Sequence, residues 1–523
     1  MIISRRQALG VLAAAAPALR RASAQPSAEA LEIAPGPFKG TRESLRDYRI
    51  PDWYRDAKFG IWAHWGPQSS AEFGDWYARG MYQEGSPQYK QHLATYGHPS
   101  KVGYKELALA WRGENFDANY LLELYRKAGA KYFCSMGVHH DNFDLWNSKF
   151  QPYWNAAANG PKKDIVGLFA AAARLNGLKF AVSEHLAVSY HWFQTSHRAD
   201  KLGPLAGVPY DGANAANWSL YHETHEVPRN AKGEEDLWSP VNVPAVWKRR
   251  YFDRIKDLID HYEPDLMYID GPIFFEEYGL SLVAHQYNLS ARKHGGVPQT
   301  VYTSKRREDS AVGTCVLDLE RGVVDTIWPT PWQTDTCIGQ WHYNKGQKYK
   351  TAKVVIDLLV DIVSRNGNLM LNFPLNSKGE LDADEMNVLT GVTRWMAVNS
   401  EGIYSTRPWK IYGTNAAPAA KTAGDTMHFN ENQRKDLSAA DVRFTKKGET
   451  LFAFCMGLPE QSVLIEPLGT KSPQNPHKVQ HVELLGFEGG LQFKQDETGL
   501  RIELPAQKPA LPPEAVTFKI TGA

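Results

Sequence analysis

The chain has 523 residues, 43% hydrophobic and 22% charged, with a formal net charge of +1. A single core stops growing near ~250–300 residues, so two domains, or three, are expected. The balanced charge leaves no basic field for nucleic acid and no acidic tail. Aromatic side chains are plentiful, with 16 Trp, 24 Tyr and 21 Phe. Most belong to packing, and exposed rings suit the apolar faces of sugars. Cys134, Cys315, Cys337 and Cys455 form no C-x-x-C pair, which excludes a zinc ribbon or thioredoxin-type motif.

Residues 1–24 read as an export signal. Arg5 and Arg6 precede a short apolar run, and Ala22-Ser23-Ala24 has the small-x-small form of a cleavage site. The run is shorter than the ~20 residues of a membrane span. The twin arginine favours the bacterial twin-arginine route over an ordinary secretory signal; either gives a mature chain starting near Gln25 and acting in the periplasm or outside the cell. No later segment is apolar enough to span a bilayer.

From Lys58 to Pro374 short apolar runs alternate with amphipathic helices. Strands are expected at Lys58–His64, Tyr132–Val138, Leu178–Ser183, Leu266–Asp270 and Thr300–Ser304, before Asp325, and at Asn368–Phe373. Between them, Phe116–Ala128 places Tyr120, Leu121, Leu124 and Tyr125 at helical spacing. Asp164–Leu175 is a helix that Asp164 caps and Gly177 follows. Trp247, Tyr251, Ile255, Leu258, Ile259 and Tyr262 mark a third helical face that ends before Pro264, and Lys353–Ser364 is a fourth helix. This alternation argues for parallel strands with helical crossovers, and its length fits a (β/α)8-like barrel over residues 25–405. Residues 194–244 break the rhythm as a polar insertion rich in Pro, Gly and Asn, of the kind that shapes active sites. From about residue 406 to 523 short alternating runs predict a small antiparallel β-sandwich.

Ionisable residues gather where barrel strands end: His64, His139 with His140 and Asp141, Glu184 with His185, Asp270, and Glu320. No G-x-S-x-G elbow, H-E-x-x-H helix, dinucleotide loop or P-loop accompanies them. A metal shared by His139 and His140 is disfavoured, because neighbours on a strand point to opposite faces. Paired carboxylates with neutral hydrogen-bonding neighbours remain, the equipment for cleaving a glycosidic bond without a cofactor or metal.

Six motifs carry a resemblance: K-F-G-I-W-A-H-W-G (58–66), H-H-D-N-F-D-L-W (139–146), P-D-L-M-Y-I-D-G (264–271), P-W-Q-T-D-T-C-I-G-Q-W-H-Y (331–343), R-N-G-N-L-M-L-N-F-P (365–374) and E-G-I-Y-S-T-R-P-W (401–409). Together and in this order they resemble glycoside hydrolase family 29, the retaining α-L-fucosidases. The resemblance implies a (β/α)8-like barrel followed by a β-sandwich, and hydrolysis of terminal α-L-fucosyl linkages by double displacement. It implies Asp270 as nucleophile, with Tyr268 where a Trp is more usual. His64, His139 and His140 match positions that bind the fucose hydroxyls, and Trp76 lies in a matching loop. Glu320 is the favoured general acid/base, with Asp335 and Asp318 as fallbacks. Glu184 and His185 stand where the family usually carries tyrosines and are taken as substrate contacts. Trp332, beside Gln333 in a W-Q-T that is more often Trp-Glu-Thr, completes the expected sugar-binding set. The implied partner is a fucosylated glycan. A galactose-type exo-glycosidase on the same scaffold, and a non-catalytic glycan-binding relative, are the competing readings.

Overall fold

A computed structural model describes residues 30–414, 431, 434–475, 477–505 and 510–522. The expected export signal lies outside the described residues. Eight strands build the first domain: β1 (Phe59–Ala63), β2 (Tyr132–Val138), β3 (Lys179–Glu184), β4 (Leu266–Ile269), β5 (Val301–Ser304), β6 (Val316–Leu317), β7 (Trp332–Cys337) and β8 (Gly367–Asn372). All pair in parallel, in the order β6-β5-β4-β3-β2-β1-β8-β7. One parallel bridge, Asp318 to Gln333, crosses from the end of β6 to β7, so the sheet is a nearly closed barrel.

Strand alternation sorts the side chains. Trp62, Tyr132, Cys134, Ala181, Leu266, Tyr268, Val301, Val316 and Met370 fill the interior, and Tyr54 and Ala57, from the turn of helix before β1, join them. This interior is partly polar. The hydroxyls of Tyr132 (3.0 Å) and Tyr54 (3.3 Å) donate to Gln333 Oε1, whose amide donates to Asp318 Oδ1 at 2.8 Å. Gly60 pairs with Tyr132, and the missing side chain makes room for that ring: a Cβ there would lie 2.3 Å from it.

The crossover helices follow their capping residues. Asp164 accepts from the Gly167 N–H at the start of Ile165–Leu175, and Gly177 follows the helix at φ 67°. Thr351 caps Ala352–Ser364, and an Asp382/Glu385 capping box starts Ala383–Asn399. Helix Ala245–Tyr262 carries a fully buried Arg254, which bonds to Asn142 and pairs with Asp144. That ion pair ties down the chain leaving β2. Among the described residues no helix is long and apolar enough to cross a membrane.

The second domain follows with β9 (Arg407–Gly413), β10 (Val442–Lys447), β11 (Thr450–Cys455), β12 (Ser462–Ile465), β13 (His481–Leu484), β14 (Gln492–Asp496), β15 (Gly499–Glu503) and β16 (Val516–Thr521). They form two antiparallel sheets, β13-β16-β11-β10-β9 and β12-β15-β14, around one apolar core. The domain packs on the last two barrel helices: Arg443 Nε pairs with Asp361 Oδ1 at 2.5 Å, and the Trp395 indole donates to the Ala515 carbonyl at 2.9 Å. All four cysteines are buried and unpaired.

The sequence reading missed β7. Its inward residues, Gln333 and Asp335, are polar, so the run lacks the apolar signature of a buried strand. The strand expected before Asp325 is corrected as well: β6 is only two residues long and ends at Leu317, and the chain from there to Asp325 is loop. We expect Gly60→Ala to destabilise the barrel by about 1–3 kcal/mol, since the new methyl meets an aromatic ring that has no room to retreat. Urea unfolding of the two proteins measures this.

Candidate active site

The site residues occupy the next inward position along each strand. On β4, Tyr268 faces the interior, Ile269 points out, and Asp270 emerges into the pocket with its N–H on the Glu184 carbonyl at 3.2 Å. One period past Thr303 on β5 stands Lys305, and past the end of β6 stands Glu320. Lys305 is buried at 7% exposure, and its Nζ lies 3.2 Å from Asp270 Oδ1, 2.6 Å from Glu320 Oε2 and 3.8 Å from Asp335 Oδ2. One ammonium therefore joins the two carboxylates that face the pocket and a third beneath them.

The two pocket carboxyls are driven in opposite directions. Burial works to raise Asp270, but Lys305, His140 and His185 outweigh it and hold the carboxyl well below its usual range. Its Oδ2 is 3.2 Å from His185 Nδ1 and 3.4 Å from His140 Nε2. Glu320 is raised by burial, with Lys305 opposing and the charges of Asp335 and Asp270 adding to the rise. The Trp341 indole donates to Glu320 Oε1 at 3.2 Å. Lys305, which burial alone would lower, is pushed well above the usual lysine value by Asp335, Glu320 and Asp270. The arrangement thus biases one carboxyl toward ionisation and its neighbour toward protonation.

Five buried histidines line the pocket: His64, His139, His140, His185 and His342. Ring centroids are 4.6 Å apart for His64 and His342, 4.5 Å for His139 and His140, and 4.8 Å for His139 and His185. Burial and the neighbouring rings hold His64 and His139 well below the usual histidine value, and burial takes His185 to about 4. The surroundings of His64, His139 and His185 therefore favour the neutral imidazole. Among the described residues, both ring nitrogens of His64 and of His342 lack a hydrogen-bond partner. Buried groups of that kind call for hydroxyls or another polar ligand. His140 Nδ1 donates to the His185 carbonyl at 2.7 Å, which orients its ring.

The expectation that His139 and His140 face opposite ways is corrected. Pairing of β2 with β3 slips between Met136 and Val138, and the irregularity lets both rings turn into the pocket. Two trios, His64/His139/His342 and His139/His140/His185, each bring one nitrogen per ring within 4.8 Å of the others, close enough to gather round a metal ion. However, Gln68 Oε1 accepts from the Ala78 N–H at 3.3 Å, so its Nε2 donates to His139 Nδ1 at 2.8 Å. The His139 proton then sits on Nε2, where it blocks that nitrogen as a ligand and makes it a donor.

Trp76 stands at the pocket edge in a left-handed backbone conformation (φ 55°), edge-on to His140 with centroids 5.9 Å apart. A non-glycine residue held there carries local strain of ~1–3 kcal/mol. Three expected contacts lie elsewhere. Glu184 points out of the barrel, accepts from the Tyr251 hydroxyl at 2.7 Å and the Leu186 N–H at 2.9 Å, and is pushed by burial up to about 7. Tyr268 lies one layer below the pocket, with its hydroxyl on Asp335 Oδ2 at 3.0 Å. Trp332 begins β7 at the opposite end of the barrel, faces outward, and donates to the Arg365 carbonyl at 3.0 Å. Strand alternation excludes Glu184, and position along the strand excludes the other two. The fallback acids Asp318 and Asp335 are fully buried beneath Lys305, and burial together with Asp335 pushes Asp318 well above the carboxylate range.

Lys305, Trp341 and His342 were not singled out from sequence. Lys305 carries the strand-end signal that found Asp270. The other two sit in a loop without periodicity.

Comparison with known proteins agrees with this architecture. The alpha-L-fucosidase family model matches residues 26–401, and the alpha-L-fucosidase C-terminal domain model matches residues 434–521. Tissue alpha-L-fucosidase of Mus musculus is 25% identical over 507 residues, covering 94% of this chain and 96% of its own. Plasma alpha-L-fucosidase of Homo sapiens is 26% identical over 484 residues, covering 90% and 88%. Among solved structures, Thermotoga maritima alpha-fucosidase superimposes with a TM-score of 0.69 at 22% identity, over 92% of this chain and 100% of that one. Alpha-L-fucosidase isoenzyme 1 from Paenibacillus thiaminolyticus gives 0.62 at 19% identity, over 91% and 99%. With both its barrel and its C-terminal sheets matched, the chain belongs to the alpha-L-fucosidase family, glycoside hydrolase family 29, and is a glycoside hydrolase.

Proposed function

We propose that the chain hydrolyses terminal α-L-fucosyl linkages of glycans by double displacement, with Asp270 as nucleophile and Glu320 as general acid and base. The observation that carries this reading is the Lys305 bridge. Its legs of 3.2 and 2.6 Å cap the separation of Asp270 Oδ1 and Glu320 Oε2 at about 6 Å, which accommodates the ~5–5.5 Å of retaining glycosidases and leaves little room for the water of an inverting one.

In the first step Asp270, ionised, attacks the anomeric carbon while Glu320 gives its proton to the departing oxygen. The C1–O bond breaks as the C1–carboxylate bond forms. In the second step Glu320, now a carboxylate, takes a proton from water as that water attacks C1 and frees Asp270. Lys305 favours both charged states: Asp270 at rest and Glu320 in the covalent intermediate. The unpartnered nitrogens of His64 and His342, with His139, offer hydrogen-bonding groups to the sugar hydroxyls. Their burial at 1–4% closes the pocket floor, which favours attack on a chain end. The substrate is then a fucosylated oligosaccharide or glycoconjugate. Export is part of the proposal and rests on Arg5, Arg6 and the small-x-small site at residues 22–24.

Asp270→Gly is expected to lose at least ~10³-fold in kcat on an aryl fucoside while keeping its melting temperature. Azide, small enough to enter the space left, should restore turnover and yield fucosyl azide; near-wild-type turnover of Asp270→Gly without azide would contradict the assignment. Lys305→Met tests the bridge through pH. Lys305 lowers both carboxyls, so its loss raises both, and the acid limb (Asp270) and alkaline limb (Glu320) of kcat/KM move to higher pH. A shift of roughly 1–3 units is expected for a charge at this range. An unmoved profile would leave Lys305 a merely structural part.

A further inference from the structure

The segment between β3 and helix Ala245–Tyr262 reaches back to the pocket through one exposed ring. We infer that Trp238 is the platform for the leaving group, stacking on the apolar face of the pyranose that carries the fucosyl unit; this rests on the fucosidase reading above. Trp238 keeps 40% of its surface exposed. Its ring lies near-parallel to Trp76, with centroids 6.1 Å apart and an interplanar angle of 28°, and edge-on to His140 at 6.2 Å. His140 in turn lies 3.4 Å from Asp270. Trp238 Cδ1 is 3.6 Å from where a Cβ on Gly271, the residue after Asp270, would stand. The ring therefore sits at the pocket mouth, next to the reacting centre and outside the buried floor.

The segment holds this ring in place. Three residues before it, Glu235 pairs with Arg79 at 2.6 Å and with Arg198. Arg79 also donates to the Trp192 carbonyl. Leu237 is buried at 6% exposure. Three residues after it, the Val241 carbonyl accepts from His191 Nε2 at 3.0 Å. Gly271, at φ 143°, has no side chain to displace either Trp238 or the Phe274 ring, which would lie 2.6 Å from a Cβ there. An aromatic face fixed on both sides and left open to solvent binds a flat apolar surface with little ordering cost. At the mouth of a pocket closed by histidines, that surface is the ring of the second sugar.

The test compares two substrates. α-L-Fucosyl fluoride has no second ring. A set of fucosyl disaccharides differing in linkage supplies one, and the best-hydrolysed member is used. In Trp238→Ala the ratio of kcat/KM on the disaccharide to that on the fluoride should fall about tenfold, the upper worth of one aromatic face. Trp238→Phe should recover most of that ratio, and unchanged thermal melting of both variants shows that the segment still folds. An unchanged ratio, or equal loss on both substrates, overturns the platform; equal loss would make Trp238 a wall of the fucosyl pocket instead. Failure of the wild type to release fucose from either substrate would overturn the underlying reading, and the platform with it.

Discussion

Everything in the pocket is organised around one buried ammonium. Lys305 has lost its water, and a desolvated cation is tolerated only where carboxylates replace that water. Asp270, Glu320 and Asp335 do so within 4 Å. Four ionisable groups then share too little positive charge for every acid to ionise. The conflict is resolved by neighbours: Asp270 has two histidines and takes the charge, whereas Glu320, against an indole and two other acids, favours its proton. Two carboxyls are thereby distinguished by their surroundings alone.

The barrel makes this arrangement by counting in twos. The interior is closed by apolar and tyrosine side chains, with Tyr268 and Asp335 as the layer on which Lys305 rests. The next inward positions, at His64, His185, Asp270, Lys305 and Glu320, are polar, and they are the first to see the pocket. One irregularity in β2 adds both His139 and His140 to the same wall. Buried pairs behind the site, such as Arg254 with Asp144, fix the loops that would otherwise let these rings drift.

Much of this was legible in the sequence. The strand-end rule placed Asp270, Glu320, His64, His139, His140 and His185 in one site, and the alternating texture gave both domains. Where the reading failed, it took a residue's nearness to a strand end without its parity or its end. Glu184 is adjacent to His185 but on the other face. Trp332 begins its strand instead of closing it. Lys305 passed unnoticed because a lysine after a strand ordinarily reads as solvated; only the convergence of three acids from β4, β6 and β7 makes it internal. His342 and Trp341 come from a loop whose return to the pocket is fixed by Asp75, which accepts from both of their backbone N–H groups. No local pattern announces such a contact.

The account turns on whether Asp270 and Glu320 act in two successive displacements at one carbon. The direct measurement is the configuration of fucose at the moment of release, followed by proton NMR before the anomers equilibrate. Two displacements deliver α-L-fucose first, with the β anomer appearing only by mutarotation. Initial release of β-L-fucose would mean a single displacement by water and would contradict the role assigned to Asp270.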